Sequence, residues 1–329
     1  MMNSGLSSAP RVKFSPVSSF DDLRRRVERL LGYAASSSDQ TQLSLGLNET
    51  FRAEELIQFP AKNIVAFLGF LVDALPDGDV YLFGGVLRDL ALASGKWFSS
   101  DIDVVVEGEW SGVVRYLERG RARRNKFGGY RLSVGDWKVD VWKADETWAI
   151  SQGLVIYKGI GSLTNTTVLN WDAILMNWRT RNFVARENYL EDIRNRTLDI
   201  VLTTNPDPLG MTVRVFRQFC LKAAKSITSR AICYMADSTE QFPLAELIAR
   251  ELSSYQNSVI RPDVFRFFQH IKANESASMP ERIQLATELT RTDVGQLPLH
   301  AGAAPLSSKS PGTQPDRPKA QSEVYPIEY

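Results

Sequence analysis

A short apolar run, Val80–Phe83, stops at Gly84-Gly85 and is followed at once by a helical pattern that continues to Ala93. Short apolar runs bounded by turn residues are typical of β-strands, and paired glycines allow a strand to pass into a helix through a tight turn. A second apolar run, from Ile102 to Val106, predicts a neighbouring strand. The pattern therefore predicts a small mixed sheet with a helix inserted between its first two strands.

The sheet is predicted to continue beyond the second strand. Residues 110–117 have the apolar spacing of a helix, and three strand-like runs follow them. These runs are 122–125, which is weak, 130–134 and 137–142. Gly135-Asp136, between the last two runs, is typical of a two-residue hairpin turn.

Helical patterns lie on both sides of this sheet region. They cover residues 20–31 and 61–75, a segment from Leu209 onward, and residues 243–253, 263–273 and 281–290. Residues 1–17 lack periodicity and are predicted to be a loose arm. Six of the 15 prolines fall within residues 296–329, so this tail is predicted to be disordered.

The predicted fold class is α+β: a small mixed β-sheet head with flanking helices, followed by a helical neck and body and a disordered C-terminal tail. Four regions are predicted. They are an N-terminal arm and helix (1–60), the head (61–205), the helical neck and body (206–295) and the tail (296–329).

Composition limits the chemistry that this chain can carry. It has two cysteines and two histidines, which excludes a disulfide framework and a four-cysteine zinc site. Carboxylates and phosphate-binding groups are therefore expected to carry any catalysis. No run approaches the about 20 apolar residues of a membrane span, and the Ser-rich start lacks the layout of a secretory signal. A cytoplasmic location without a membrane partner is expected.

The acidic pattern gives the sharpest chemical prediction. Asp101 and Asp103 stand two residues apart, so a β-strand places both carboxylates on one face. Like charges held this close require a cation, and Mg²⁺ favours carboxylates together with phosphate oxygens. Asp140 lies between valines on a later strand, where an inward-facing acid needs a partner or a metal. An outward position for these acids on an exposed surface is the alternative.

Gly84-Gly85 adds a candidate phosphate site. The glycines end a strand and open a helix, where free backbone N–H groups and the helix dipole favour an anion. Arg88 lies one turn into this helix and could reach a phosphate, while Asp89 could orient that arginine. A tight turn followed by a surface ion pair is the alternative.

A basic cluster precedes the later strands. Its members are Arg115, Arg119, Arg121, Arg123, Arg124 and Lys126. Because the net charge of the chain is only +1, this cluster predicts a local positive patch suited to phosphate backbones. A solvated helix end and loop is the alternative.

The combined pattern resembles a known family. The run from Gly84 to Asp89 (GGVLRD), followed by Asp101-Ile102-Asp103, resembles the head domain of class II tRNA nucleotidyltransferases, or CCA-adding enzymes, and bacterial poly(A) polymerases. These belong to the nucleotidyltransferase superfamily of the DNA polymerase β type. Residues 127–130 with 139–141 resemble the next hairpin of that family, and the resemblance covers residues 78–225.

The resemblance implies a function and a set of site residues. It implies transfer of a nucleoside monophosphate from an NTP to an acceptor hydroxyl, with two Mg²⁺ ions and release of pyrophosphate. The implied acceptor is a tRNA-like RNA 3′ end. The implied catalytic carboxylates are Asp101, Asp103 and Asp140, of which Asp101 and Asp103 hold the metal. The implied nucleotide-binding residues are Gly84, Gly85, Arg88, Asp172, Asp207, Arg214 and Arg217.

The sequence departs from the family pattern at the base-reading positions. Asn170 and Trp171 replace the two arginines that precede Asp172 in the family, and Gly210 replaces the arginine three positions after Asp207. Two alternatives therefore stay open. One is a nucleotidyltransferase that acts on a protein or a small molecule, and the other is an inactive homologue that binds nucleotide or RNA.

Overall fold

The computed structural model describes residues 14–32, 63–93, 95, 100–222, 224–274 and 278–291. The tail over 296–329 lies outside the described residues, and so does most of the predicted arm region over 1–60.

Helices surround the sheet and make up the C-terminal part of the described chain. The first helix, α1 (Phe20–Leu31), precedes the predicted head. The helices of the predicted head are α2 (Ile64–Asp73), α3 (Gly85–Leu92), α4 (Trp110–Arg119), α5 (Trp148–Ser151) and α6 (Tyr189–Asn195). The helices of the neck and body are α7 (Pro208–Leu221), α8 (Ser229–Gln241), α9 (Leu244–Tyr255), α10 (Pro262–Ala273) and α11 (Met279–Arg291). The predicted α+β fold class is confirmed.

One sheet organises the head. Its strands are β1 (Asp79–Phe83), β2 (Ile102–Glu107), β3 (Arg123–Arg124), β4 (Tyr130–Val134), β5 (Trp137–Lys143), β6 (Ile174–Asn177) and β7 (Phe183–Ala185). They lie in the order β3-β4-β5-β2-β1-β6-β7. The β2 and β5 strands are parallel, and the other neighbouring pairs are antiparallel. A separate two-stranded sheet joins β8 (Thr197–Leu198) to β9 (Ser226–Ile227).

The two faces of the large sheet differ. Ile102, Val104 and Val106 of β2 belong to the main apolar core, on the face that the helices cover. Val105 points the other way, into a smaller apolar cluster with Tyr81 and Leu175. Because strand residues alternate between faces, Asp103 shares the second face with Val105. This second face is called the open face below.

The N-terminal segment is not a loose arm where the structure describes it. Ser15 N–H donates to Leu92 O (3.1 Å), and Val17 N–H donates to Ala91 O (2.9 Å). Arg26 of α1 donates to Leu90 O at 2.8 Å, near the end of α3. Val17 is 1% exposed. The predicted arm is therefore wrong for residues 14–17, because backbone hydrogen bonds and burial of Val17 dock them against α3.

The helical body packs through aromatic side chains. Phe216 and Phe219 of α7 contact Phe268 of α10 edge-on, at ring-centroid distances of 5.9 and 5.7 Å. Such edge-to-face contacts add to the stability that burial of the rings provides.

No helix within the described ranges is long and apolar enough to cross a membrane.

Candidate active site

Two of the three predicted carboxylates are neighbours on the open face. Asp103 of β2 pairs in register with Asp140 of the parallel strand β5. Neighbouring strands lie about 4.8 Å apart, so the two side chains project side by side. On its other side, Asp103 pairs with Phe83, the last residue of β1 before the Gly84 turn. The acidic pair therefore lies next to the strand end that the sequence predicts as the phosphate site.

Arg131 of β4 connects the third carboxylate to this pair. Its guanidinium donates to both oxygens of Asp140, at 2.8 and 2.6 Å, and lies 3.5 Å from Asp101 Oδ2. Asp101 itself precedes β2 and has a side chain that is 47% exposed. The cation that compensates Asp101 and Asp140 in this arrangement is thus a side chain of the protein.

Asp103 experiences a strongly negative environment. Displacement of water by the surrounding protein and the negative charge of Asp140 raise the pKa of the Asp103 carboxyl to about 7. The Arg214 guanidinium of α7 opposes this increase in the pKa, and Asp101 adds to it. Arg214 is exposed although its helix neighbours Val213 and Val215 are buried. Arg214 therefore lies near enough to Asp103 to lower the pKa of its carboxyl.

Within the part of the chain that the structure describes, no three His, Cys, Asp or Glu side chains form a group that could hold a metal ion. The position of the Arg131 guanidinium between Asp101 and Asp140 is consistent with this finding, because it occupies oxygens that a cation would need. The prediction that Asp101 and Asp103 hold Mg²⁺ stays a prediction.

The turn after β1 depends on glycine for two reasons. Gly84 has φ 61° and ψ −112°, a backbone conformation that is essentially restricted to glycine. A Cβ on Gly85 would lie 3.1 Å from Ser100 Cβ and Oγ, which leaves little room. Gly84 N–H donates to Ile174 O of β6 (3.1 Å), so the neighbouring strand fixes the turn. The turn then opens directly into α3.

We expect Gly84→Ala to lower the free energy of unfolding by about 1–3 kcal/mol, because alanine would be strained at this φ and ψ. The nearest atom to an added Cβ is Asp172 O at 3.6 Å, so the cost is conformational rather than a clash. Gly69→Ala in α2 is the control, since nothing lies within 4 Å of its added Cβ. That change should be neutral or stabilising. Urea unfolding measures both, and equal effects of the two substitutions would contradict the strain at Gly84.

Arg88 is buried in an ionic network. Its Nε donates to Asp89 Oδ1 (2.9 Å), its Nη1 to Asp172 Oδ1 (2.5 Å) and its Nη2 to Ser100 Oγ (2.8 Å). Lys222, at the end of α7, lies 3.0 Å from Asp89 Oδ1. Arg88 is 6% exposed and Asp172 is 8% exposed. Arg88 and Asp172 therefore compensate each other, and their assignment to phosphate and base binding stays a prediction.

The remaining predicted residues separate into two places. Asp207 caps α7 by accepting from Gly210 N–H at 2.9 Å, and it forms a 2.6 Å ion pair with Arg250 of α9. Arg217 does not join the acidic side chains. It forms a buried ion pair with Glu251 (2.7 Å), inside the body. Its assignment to nucleotide binding is a prediction that its contacts do not support.

The segment around Asn170 and Trp171, where the sequence departs from the family pattern, is largely part of the core. Trp171 is fully buried, and Tyr189 donates a hydrogen bond to its carbonyl oxygen at 3.1 Å. The Asn170 side chain donates to Asp192 Oδ2 (2.9 Å) and accepts from Asp199 N–H (2.9 Å). The residues that replace the family's two arginines thus serve packing and backbone hydrogen bonding.

Arg131 is the residue of the site that sequence reasoning missed. The sequence already predicts that Arg131 lies in a β-strand that ends at a two-residue hairpin turn. In a hairpin with a turn at Gly135-Asp136, Arg131 faces Asp140, and this register would have identified the pair.

A cavity of about 400 Å³ lies away from these side chains, between α1, β7 and α6. Phe20, Phe183 and Arg194 are among the residues that line it. None of the predicted site residues lines this cavity.

No family model matches the sequence, and no curated protein matches it. Solved structures do show similarity. A tRNA nucleotidyltransferase complexed with a primer tRNA and an incoming ATP analogue is 15% identical, with a TM-score of 0.47, covering 62% of this chain and 61% of that chain. The Thermotoga maritima CCA-adding enzyme complexed with tRNA is 15% identical, with a TM-score of 0.37 and coverages of 70% and 62%. A complex of a CCA-adding enzyme with CTP is 16% identical, with a TM-score of 0.40 and coverages of 70% and 62%.

These similar structures come from the family that the sequence motifs resemble. This chain spans about three fifths of the length of these proteins, since it covers 61% or 62% of each.

Proposed function

We propose that this protein is a Mg²⁺-dependent nucleotidyltransferase that transfers a nucleoside monophosphate from an NTP to an acceptor hydroxyl, with an RNA 3′ end as the acceptor. The observation that supports this most strongly is the register pair of Asp103 and Asp140 on the open face. The pair lies beside the Gly84 turn, and Arg214 is near enough to lower the pKa of Asp103. Carboxylates next to a glycine turn at a helix start suit a polyphosphate with bound cations.

The carboxylates present fit Mg²⁺ by their chemistry. Mg²⁺ takes one or two carboxylates together with phosphate oxygens, and Asp103 supplies one beside the carboxylate of Asp140. Burial, followed by the negative charge of Asp140, raises the pKa of the Asp103 carboxyl, so a bound cation would favour its charged form. Bound there, Mg²⁺ would neutralise the charge that develops on the phosphates. Asp101 and Asp103 would hold it, and the Arg131 guanidinium would have to release Asp101 and Asp140.

The chain's own residues would then act on substrate as follows. The acceptor hydroxyl oxygen attacks the α-phosphorus, the bond from that phosphorus to the bridging oxygen breaks, and pyrophosphate leaves. The hydroxyl proton passes to a carboxylate, for which Asp140 is the candidate, or to water. The backbone N–H of Gly85 at the start of α3 would bind the triphosphate, while Gly84 shapes the turn because its own N–H already donates to Ile174 O. Arg214 would orient the triphosphate.

The acceptor and the catalytic residue are tested in one labelling experiment. Each of the four NTPs, labelled in the α-phosphate, is incubated with Mg²⁺, total RNA and total protein. The parent chain should label RNA. Asp103→Asn should lower the rate at least about a hundredfold, since it removes a charge that stabilises the transition state by several kcal/mol.

Asp136→Asn is the matched control, because this exposed acid lies in the β4–β5 turn, away from the pair. It should transfer at the rate of the parent. Transfer by Asp103→Asn at the rate of the parent would refute the catalytic assignment, and label found only in protein would refute the RNA acceptor.

One observation favours the inactive alternative. Arg131 already neutralises Asp101 and Asp140, which is what a bound cation would do in an active enzyme. If the protein is an inactive homologue, neither the parent chain nor the Asp103→Asn and Asp136→Asn variants should incorporate label in any of these mixtures.

A further inference from the structure

The basic cluster lies at one edge of the sheet. Arg115 and Arg119 lie on α4, and Arg123 and Arg124 form β3, the edge strand next to β4. Arg121 lies in the turn between them. The side chains of all six members of the cluster are exposed.

The charged groups of this cluster form no salt bridges with neighbouring acids in the described part of the chain. In the described ranges, no salt bridge involves any of its five arginines or Lys126. The acid nearest in sequence is Glu118, which accepts a hydrogen bond from Tyr130 Oη at 2.8 Å. Five arginines and a lysine within twelve residues, in a chain of net charge +1, make this edge a local centre of positive charge.

A cross-strand row connects this edge to the acidic pair. Arg123 of β3 pairs with Arg131 of β4, Arg131 pairs with Asp140 of β5, and Asp140 pairs with Asp103 of β2. Residues paired in this way project from the same face of the sheet. The row therefore passes over the open face from the basic edge to the acids, a span of three strand spacings or roughly 14 Å.

An exposed aromatic ring accompanies the cluster. Phe127 is 42% exposed, and Lys126 Nζ lies 5.1 Å from the centroid of its ring. Exposed aromatic rings within basic surfaces stack on the bases of single-stranded nucleic acids, while the cations follow the phosphates. Burial alone would raise the pKa of the Asp207 carboxyl, but hydrogen bonds from Gly210 N–H and Arg250 lower it, and Lys126 adds a smaller decrease. Lys126 therefore lies near the start of α7.

We infer that the basic cluster, together with Phe127, binds the phosphate backbone and bases of a single-stranded RNA end and leads it over the β3 edge to Asp103 and Asp140. This inference rests on the proposed function and describes the surface along which the RNA acceptor reaches the site. The backbone phosphates contact the arginines of α4 and β3, a base stacks on Phe127, and the terminal hydroxyl reaches the acidic pair along the row that contains Arg131.

Binding of a fluorescent single-stranded RNA oligonucleotide to the full chain, without NTP or metal, tests this surface. The cluster variant combines Arg119→Gln, Arg121→Gly, Arg123→Thr and Arg124→Thr. Glycine suits position 121 because Arg121 has φ 57°, and threonine suits an edge strand. The cluster variant should raise the Kd at least about tenfold and reduce the salt dependence, since each lost phosphate contact lowers the slope of log K by roughly 0.7.

The matched control removes four exposed arginines elsewhere: Arg25→Gln, Arg29→Gln, Arg194→Gln and Arg266→Gln. Both variants lower the net charge of the chain equally, so a difference between them reports position rather than total charge. The control should bind within about twofold of the parent. Phe127→Ala alone should weaken binding several-fold without changing the salt dependence, because stacking involves no counterion release.

Equal weakening by the two variants, or an unchanged Kd in the cluster variant, would overturn the inference. A parent chain that binds no RNA overturns it as well. Failure of the proposed function gives a different result. Asp103→Asn should bind RNA as tightly as the parent while it transfers no nucleotide. If Asp103→Asn transfers normally and the cluster variant loses RNA, the surface is right and the catalytic residue is wrong.

Discussion

Arg88→Met should lower the free energy of unfolding by about 3–5 kcal/mol, because it removes the cation that lies between two buried carboxylates. Arg88 contacts Asp89 and Asp172 at 2.9 and 2.5 Å, and all three residues are buried. Lys222 would remain beside Asp89, but Asp172 would have no cation within the described contacts. Methionine fills much of the volume of arginine, so the loss measures charge more than packing. Urea unfolding followed by circular dichroism gives the value.

The control for Arg88 is Arg25→Met in α1. Arg25 forms an ion pair with Asp22, but its side chain is 63% exposed, so the loss should stay below about 1 kcal/mol. The double variant Arg88→Met with Asp172→Asn should recover part of the lost stability, because it removes the charge left uncompensated. A single Arg88→Met variant as stable as the Arg25→Met variant would show that the network does not hold the α3 region to the segment around Asp172.

Glu251→Ala should also cost about 3–5 kcal/mol of unfolding free energy. Glu251 is fully buried and forms a 2.7 Å ion pair with Arg217 of α7. It also accepts from Ser258 Oγ (2.7 Å), Val259 N–H (3.0 Å) and Ile260 N–H (3.2 Å). One carboxylate thus joins α7, α9 and the segment that leads into α10. Its loss leaves a buried guanidinium and two backbone N–H groups without their acceptor.

Glu251→Gln separates the two contributions, because the amide oxygen keeps an acceptor while the charge is lost; its cost should be smaller than that of alanine. Glu246→Ala on the same helix is the control, since this glutamate is exposed and its loss should cost at most about 1 kcal/mol. Urea unfolding measures the free energy of unfolding of Glu251→Ala, Glu251→Gln and Glu246→Ala. If Glu251→Ala unfolds at the same urea concentration as Glu246→Ala, Glu251 does not join the helices of the body.

The N-terminal helix and the predicted head were more predictable from the sequence than the predicted body. The helix Phe20–Leu31 and the strand Tyr130–Val134 are confirmed with the predicted bounds, because each has a clean period and clear terminal residues. The strand β6 was missed because Ile174–Asn177 is buried throughout, so no alternation marks it. The helix α8 was missed as well. Its sequence, SRAICYMADSTEQ, mixes small and polar residues, several of which are buried by tertiary packing.

The site was predictable where it depends on strand geometry and less so where it depends on tertiary partners. The alternation argument assumes that Asp101 and Asp103 lie on one strand, but β2 begins at Ile102, so it applies to Asp103 and not to Asp101. Asp103 instead meets Asp140 across the sheet, as a register pair. The contact of Arg88 with Asp89 was predicted and is confirmed. Its second acidic partner could not be foreseen, because Asp172 lies 84 residues away in the chain. A sequence pattern gives no information on which of two distant carboxylates an arginine will meet. The same reason explains why Arg217 was assigned to the nucleotide side rather than to Glu251.

The parallel pairing of β2 with β5 determines when the acidic pair can form during synthesis. Asp103 emerges from the ribosome before Asp140. The residues of β3 and β4 lie between them in the chain, so they must also emerge before β5 can pair with β2. The Gly84 turn can be completed only later, because the backbone N–H of Gly84 donates to Ile174 O of β6. A nascent chain released before β6 would carry Asp101, Asp103 and Asp140 and yet lack the strand that fixes the glycine turn.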